Sequence, residues 1–134
     1  MALEFALIAP FFLLVALGAM VFALYFAAAV AVAHSAAEGA RASVLGLDNT
    51  ERGNFARARV TAIFQGYQPL LDSAQATVTA EAGSTAGTYK VQVSYPLTAI
   101  GLGGFTTFMN AVTGSAATAP TTVSRTVTVA NGGY

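Results

Sequence analysis

The sequence predicts an α+β protein with a long hydrophobic N-terminal helix, a second amphipathic helix and a small antiparallel three-stranded sheet. An uncharged apolar run extends from Phe5 to Ala33, and apolar residues at helical spacing follow it. From Gln75 the pattern changes to alternation rich in Thr, Val and Tyr, which indicates half-buried strands. We therefore expect a hydrophobic helix over residues 1–33 and a globular head over residues 34–134. The head includes the amphipathic end of the first helix, and we expect it to fold without the apolar span.

The apolar run is long enough to cross a membrane, because a bilayer core of about 30 Å requires about 20 helical residues. A single charge, Glu4, lies at its outer end. A cleavable signal peptide is the less favoured alternative, although Ala31-Val32-Ala33 resembles a cleavage site. Such peptides begin with basic residues and have an apolar core of about 7–15 residues, whereas this run is longer and no Lys or Arg precedes it.

Small side chains recur every fourth residue in this run, at Ala19, Ala23, Ala27 and Ala31. A ridge of this kind lets helix backbones approach closely inside a membrane or a helical bundle. The alternative is that alanine is present only because it favours helices. Pro10 lacks an N–H group and predicts a kink or a local opening of the helix.

Helical spacing continues beyond the apolar run and predicts one helix that ends near Leu45, roughly 65 Å long. The face expected to cover the globular head consists of Val30, Ala33, Ala37, Ala40 and Val44. His34, Glu38 and Arg41 fall on the opposite face, where Glu38 and Arg41 are spaced to form an ion pair. His34 has neither a second histidine nor a carboxylate cluster nearby, so we interpret it as a solvated surface residue rather than a ligand or pH sensor.

A second helix is predicted to end at Gln65 and to begin at either Glu51 or Phe55. Asp48 followed by Glu51 resembles a capping box and favours the earlier start, while Asn54 is a competing N-cap. The predicted buried face consists of Ala56, Val60, Ile63, Phe64 and Tyr67. Three arginines also lie on this helix, Arg52, Arg57 and Arg59. A solvated helix face is the commoner explanation for them, and an anion or lipid-headgroup site is the alternative.

Three strands are predicted, at residues 75–82, 88–95 and 121–130. The first two form a hairpin through the glycine-rich segment 83–87, and Pro96 ends the second strand. The buried face of the second strand consists of Tyr89, Val91, Val93 and Tyr95. In the third strand Arg125 shares a face with three valines, so it lies at the sheet margin or pairs with a carboxylate.

An apolar, glycine-rich connection runs from Leu97 to Ala119 between the second and third strands. It contains a predicted short amphipathic helix formed around Phe105, Phe108, Met109 and Val112. Such a connection acts as a lid over the sheet or as a surface that a partner covers.

Composition and motifs argue against catalysis and nucleic-acid binding. The chain has six basic and six acidic residues and no cysteine, so it offers neither a basic patch nor thiolate ligands. The carboxylates are scattered, there is one histidine, and no nucleophile elbow, phosphate-binding loop or zinc-protease motif occurs. We expect no enzymatic activity, no cofactor, no metal site and no nucleic-acid partner.

The segment MALEFALIAPFFLLVALGAMVFALYFAAAVAVAHSAAEGARA closely resembles the N-terminus of TadE-like pilins, in the tight-adherence (Tad/Flp) branch of the type IV pilus superfamily. The resemblance depends on Glu4-Phe5-Ala6-Leu7, Pro10, the apolar span and the alanine-rich extension, and it covers about the first 45 residues. Pilins lose a basic leader to a prepilin peptidase, so the resemblance implies that Met1 is a mature N-terminus. The glutamate is the fourth residue here, whereas mature pilins usually have it fifth, so either the processing site or the chain start differs from the usual pattern.

The resemblance implies a pilin-like fold and a structural subunit of a bacterial surface filament, a type IV or Tad-like pilus assembled by packing of N-terminal helices. Expected partners are other copies of the chain, other pilins and the assembly machinery. The expected location is the inner membrane before assembly and the cell surface afterwards. The alternatives are a minor pilin or pseudopilin that initiates or tips a filament, and a membrane anchor with a periplasmic binding domain.

Glu4 is the residue with the strongest predicted role. A carboxylate among apolar helices requires a partner, and an α-amino group is the nearest candidate cation. That amine belongs either to the same chain or to an incoming subunit, and the pilin resemblance favours the incoming subunit. The simpler alternative is a residue at headgroup level that only caps its own helix.

Overall fold

The computed structural model describes residues 1–116, 118 and 120–130. Its three α-helices are α1 (Ala2–Ser43), α2 (Asn49–Gly66) and α3 (Leu102–Thr113), and its strands are β1 (Thr77–Ala82), β2 (Thr88–Pro96) and β3 (Thr122–Ala130). Short 3-10 turns at Ser73–Gln75 and Leu97–Ile100 precede β1 and α3. This architecture confirms the predicted α+β class. Ala117, Ala119 and residues 131–134, which belong to the predicted connection and head, lie outside the described residues.

Helix α1 is continuous over 42 residues and passes through Pro10 without ending. It ends close to the predicted boundary, where Val44 N–H bonds to the carbonyl of Arg41 and Leu45 N–H bonds to that of Ala42. These shorter-range bonds tighten the last turn and satisfy carbonyls that have no partner further along the helix.

The buried face of α1 differs from the predicted one. It is formed mostly by small residues: Ala28, Ala31, Val32, Ser35, Ala36, Gly39, Ala40 and Ser43. Of the predicted face only Ala40 is fully buried, whereas Val30 and Val44 are 43% and 49% exposed. The prediction was wrong because it counted apolar side chains, while the contact is made by side chains small enough to let other backbones come close. The two serines fit there because Ser35 Oγ and Ser43 Oγ donate to the carbonyls of Val32 and Ala40.

Helix α2 begins at Asn49, two residues before the earlier of the two predicted starts. Asp48 is its N-cap, and the Asp48 carboxylate accepts the N–H of Glu51 at 2.8 Å. The Glu51 carboxylate accepts the N–H of Leu47 at 3.0 Å, one residue before the cap, so Asn54 is not the cap. The buried residues of α2 are Gly53, Ala56, Val60 and Phe64, with Ile63 and Tyr67 half-buried, which confirms the predicted face.

The sheet is antiparallel with the order β1-β2-β3, so β2 is the central strand. Its inward residues Tyr89, Val91, Val93 and Tyr95 are all buried, as predicted. Gly87 adopts a φ of 75° in the β1–β2 turn, and Lys90 Nζ lies 2.6 Å from the Glu81 carboxylate directly across the pair. Arg125 is exposed on β3, and within the described residues it has no carboxylate partner, which favours the sheet-margin interpretation.

The head packs its sheet and α2 against the second half of α1. A Cβ atom at Gly39 would lie 2.9 Å from Val60 Cγ2, which shows how closely α1 and α2 approach. Phe64 of α2 stacks on Tyr95 of β2 with 5.6 Å between ring centroids, and the Tyr95 hydroxyl accepts the N–H of Asp72 at 3.0 Å. These contacts hold the sheet in place on the helices and leave the first part of α1 outside the head.

Candidate assembly surface

The first part of α1, residues 2–17, extends beyond the head as an apolar rod. Its large side chains are exposed, including Leu3, Phe5, Leu7, Phe11 and Phe12. The most apolar 18-residue window of α1 has a mean hydropathy of 2.6 and none of it is buried. By length and composition α1 can cross a membrane, and a core helix of a soluble protein would instead be mostly buried.

Glu4 lies in the first turn of α1 and is exposed. Met1 is the N-cap, and its carbonyl accepts the N–H of Phe5 at 3.2 Å. A carboxylate in this turn complements the positive end of the helix dipole. No cation within residues 1–116, 118 and 120–130, including the Met1 amine, forms an ion pair with Glu4. The carboxylate therefore lies open at the tip of the rod.

The head covers only the C-terminal part of the alanine ridge. Ala19 and Ala23 are exposed, Ala27 is half-buried and Ala31 is fully buried against the chain's own core. Pro10 is exposed on the rod, about one and two-thirds turns after Glu4. The first two alanines are therefore available to another helix, while the last one already packs inside the subunit.

Helix α3 packs beside α1 near the head end of the rod. The sequence analysis did not predict this contact. A Cβ atom at Gly18 would lie 3.5 Å from Phe105 Cζ. Helix α3 therefore packs against α1 where the rod joins the head. An apolar groove of about 280 Å³ separates the two helices, lined by Val21, Phe22 and Tyr25 on α1 and by Leu102 and Phe105 on α3. A glycine inside a predicted helix was the available signal, because it often marks a close approach.

Several charged residues of the head interact with one another. Arg41 forms the predicted ion pair with Glu38 at 2.8 Å, and Arg59 approaches the same carboxylate at 3.6 Å. Arg52 Nε donates to the carbonyl of Gly46 at 3.0 Å and so helps to hold the turn between α1 and α2. Two of the three α2 arginines thus have partners within the chain, which supports a structural face over an anion site.

The other titratable groups of interest in the head are the Tyr89 hydroxyl and the His34 imidazole. Burial raises the pKa of the Tyr89 hydroxyl, and the neighbouring charges of Arg57 and Arg52 partly oppose that shift. The hydroxyl donates to the carbonyl of Asn49 at 3.1 Å. His34 is exposed, and the described residues contain no cluster of three or more His, Asp or Glu that could hold a metal ion.

A long exposed apolar helix attached to a small α+β head is consistent with a pilin-like fold. The family described as TadE-like protein matches residues 1–41, so the resemblance stated from the sequence is confirmed for this N-terminal segment. The match contains Glu4, Pro10 and the whole alanine ridge. No curated protein and no solved structure matches the chain.

Proposed function

We propose that this protein is a structural subunit of a Tad-type pilus, in which the rods of neighbouring subunits pack together. The single observation that supports this most strongly is the rod itself, residues 2–17, which carries large apolar side chains that the head does not cover. Burying such side chains contributes about 1.5–3 kcal/mol each, so the rod is stable only in lipid or among other apolar helices. The TadE-like match over the same segment supports the filament.

Before assembly α1 anchors the subunit in the inner membrane, with residues 1–33 as the hydrophobic part and residues 34–134 as the head outside. During assembly other copies of the chain replace lipid around the rod, and Ala19 and Ala23 allow two helices to approach closely. Other pilins and the assembly machinery are the remaining partners. The product is a filament at the cell surface, without catalytic activity.

Glu4 sets the position of each new subunit in this proposal. A charged side chain at the centre of a bilayer costs about 2.5–3.5 kcal/mol on insertion scales, and an apolar helical bundle is a comparable environment. The α-amino group of a neighbouring subunit neutralises that charge and fixes the axial register. Within the described residues of one subunit, the Met1 amine does not form an ion pair with Glu4. This supports a partner for Glu4 on another chain.

The test replaces Glu4 by glutamine, which keeps the size of the side chain and removes its charge. We expect Glu4→Gln to remain in the membrane fraction while the yield of sheared filaments falls sharply. Glu81→Gln is the matched control, because Glu81 is an exposed carboxylate on the head whose only described ion pair is with Lys90. Wild-type filament yield from Glu4→Gln would refute the pairing role.

Mass spectrometry of the sheared filaments separates the candidate functions. A main band formed by this protein supports a shaft subunit. Its presence as a trace component beside another pilin indicates a minor pilin or pseudopilin. If the protein stays in the membrane and no filament contains it, the membrane-anchor alternative replaces the proposal.

A further inference from the structure

We propose that α3 is a second membrane-contacting element, which lies in the interface of the bilayer beside the point where α1 enters it. This inference rests on the proposed membrane insertion of α1. Its occupant is lipid, at the boundary between headgroups and acyl chains. It follows from the length of the free rod, the surface chemistry of α3 and the absence of charged residues from α3 itself.

The free rod is too short to cross a bilayer core without bringing α3 to the membrane. Residues 2–17 span about 24 Å at 1.5 Å per residue, whereas the hydrocarbon core is about 30 Å thick. If Glu4 remains at one surface, the core extends to about residue 24, and Tyr25 lies at the second interface, where tyrosine is favoured. Phe105 contacts α1 at Gly18, about 9 Å inside that boundary.

The outward face of α3 suits lipid better than water. Phe108 and Val112 are 49% and 57% exposed and lie one turn apart, and Gly104 and Ala111 are exposed beside them. A helix on a soluble surface normally buries its apolar face, yet no residue of α3 is fully buried and Phe108 and Val112 leave part of that face exposed. An interfacial helix buries its apolar face by about 5–10 Å, which agrees with the depth set by the rod.

The polar groups of α3 are satisfied in a way that permits burial in lipid. The hydroxyl of Thr106 donates to the carbonyls of Leu102 and Gly103, and that of Thr107 donates to Gly103 at 2.9 Å. The Thr113 hydroxyl likewise donates to Met109 at 2.8 Å. Because these hydroxyls already have partners on their own helix, they lose no hydrogen bond when water is removed.

The charge distribution agrees with the same orientation. No charged residue occurs between Lys90 and Arg125, the stretch that contains α3, and none occurs between Phe5 and Ala33. The ion-paired residues Glu38, Arg41 and Arg59 lie at the other end of α1, away from the rod. Both α3 and the apolar run of α1 are therefore uncharged, while Asp72 lies beside the Tyr95 hydroxyl at the end of β2 that leads to α3.

The chain has no cysteine, so single cysteines can report the environment of chosen positions in the full-length protein. An environment-sensitive fluorophore is attached to Phe108→Cys or Ala111→Cys on α3, to Leu13→Cys on the rod, or to Leu47→Cys on the head. Leu47 is 91% exposed and serves as the aqueous reference. Each variant is placed in phosphatidylcholine–phosphatidylglycerol vesicles and quenched by aqueous iodide or by brominated lipid, with circular dichroism as the folding control.

We expect both α3 labels to be quenched by brominated lipid and to show several-fold less iodide quenching than the label at position 47. Iodide quenching equal to that at position 47, with position 13 still in lipid, overturns the α3 proposal and leaves membrane insertion intact. An aqueous signal at position 13 overturns both. Protection of α3 that develops only at a high protein-to-lipid ratio identifies a second copy of the chain as the occupant, and this also overturns the proposal.

Discussion

The contact between α1 and α2 at Gly39 allows the packing of the head to be tested with a single methyl group. In Gly39→Ala the new Cβ would lie 2.9 Å from Val60 Cγ2, 3.4 Å from the carbonyl oxygen of Ala56 and 3.5 Å from Val91 Cγ1. Favourable carbon contacts lie at about 3.5–4.0 Å, so the first of these contacts is a clash. Val60 is fully buried, and valine in a helix has one strongly preferred rotamer, so it has little freedom to move away.

The expected magnitude follows from two opposing terms. Overpacking a core costs about 1–3 kcal/mol, while replacing glycine by alanine inside a helix contributes about 0.8–1.0 kcal/mol. We therefore expect Gly39→Ala to lower the free energy of unfolding by about 1 kcal/mol, a fall in Tm of about 4–8 °C for a domain of this size. The measurement is thermal unfolding in detergent, followed by circular dichroism.

Gly66→Ala is the matched control, because a Cβ at Gly66 meets no atom within 4 Å and the residue also lies in a helix. We expect it to be neutral or slightly stabilising. Adding Val60→Ala to Gly39→Ala removes the clashing methyl, so the double variant should be more stable than the sum of the two single effects, with a coupling of about 0.5–3 kcal/mol. A Tm for Gly39→Ala at or above that of the wild type refutes the close-contact explanation.

Three further predictions concern the alanine ridge, the pH dependence of stability and the boundary of the head. Ala23→Trp should leave the monomer folded and inserted but block filament formation, whereas Ala58→Trp, exposed on α2, should assemble normally; equal filament yields contradict a role for the ridge. Because the pKa of Tyr89 is raised, the unfolded chain loses the hydroxyl proton first, so stability is retained below about pH 10 and falls as the pH rises further. Tyr89→Phe should therefore show a smaller loss of Tm between neutral and alkaline pH, and an unchanged slope excludes Tyr89 as the cause. A chain of residues 24–134 should have a higher Tm than one of residues 34–134, because only the longer chain keeps the buried residues Ala28, Ala31 and Val32. Equal Tm values would show that these three residues do not stabilise the head.

Much of the fold and part of the assembly surface could be predicted from local patterns. The uncharged run from Phe5 to Ala33 predicted the exposed apolar rod, and the spacing of Asp48 and Glu51 predicted the cap of α2. Alternation predicted the buried face of β2. These features depend on neighbouring residues along the chain, where helix and strand periodicity and N-cap hydrogen bonds act over a few positions. The position of Glu4 at the tip of the rod followed in the same way.

Only the tertiary structure decided which face of α1 meets the head and where α3 lies. Side-chain hydrophobicity favoured Val30 and Val44, yet the contact uses Gly39 and the serines, because the distance between backbones depends on side-chain size. The division of the alanine ridge into exposed Ala23 and buried Ala31 has the same cause. The sequence by itself determined that a long apolar helix precedes a small α+β head. The packing of distant segments determined how much of that helix remains free for lipid and for other subunits.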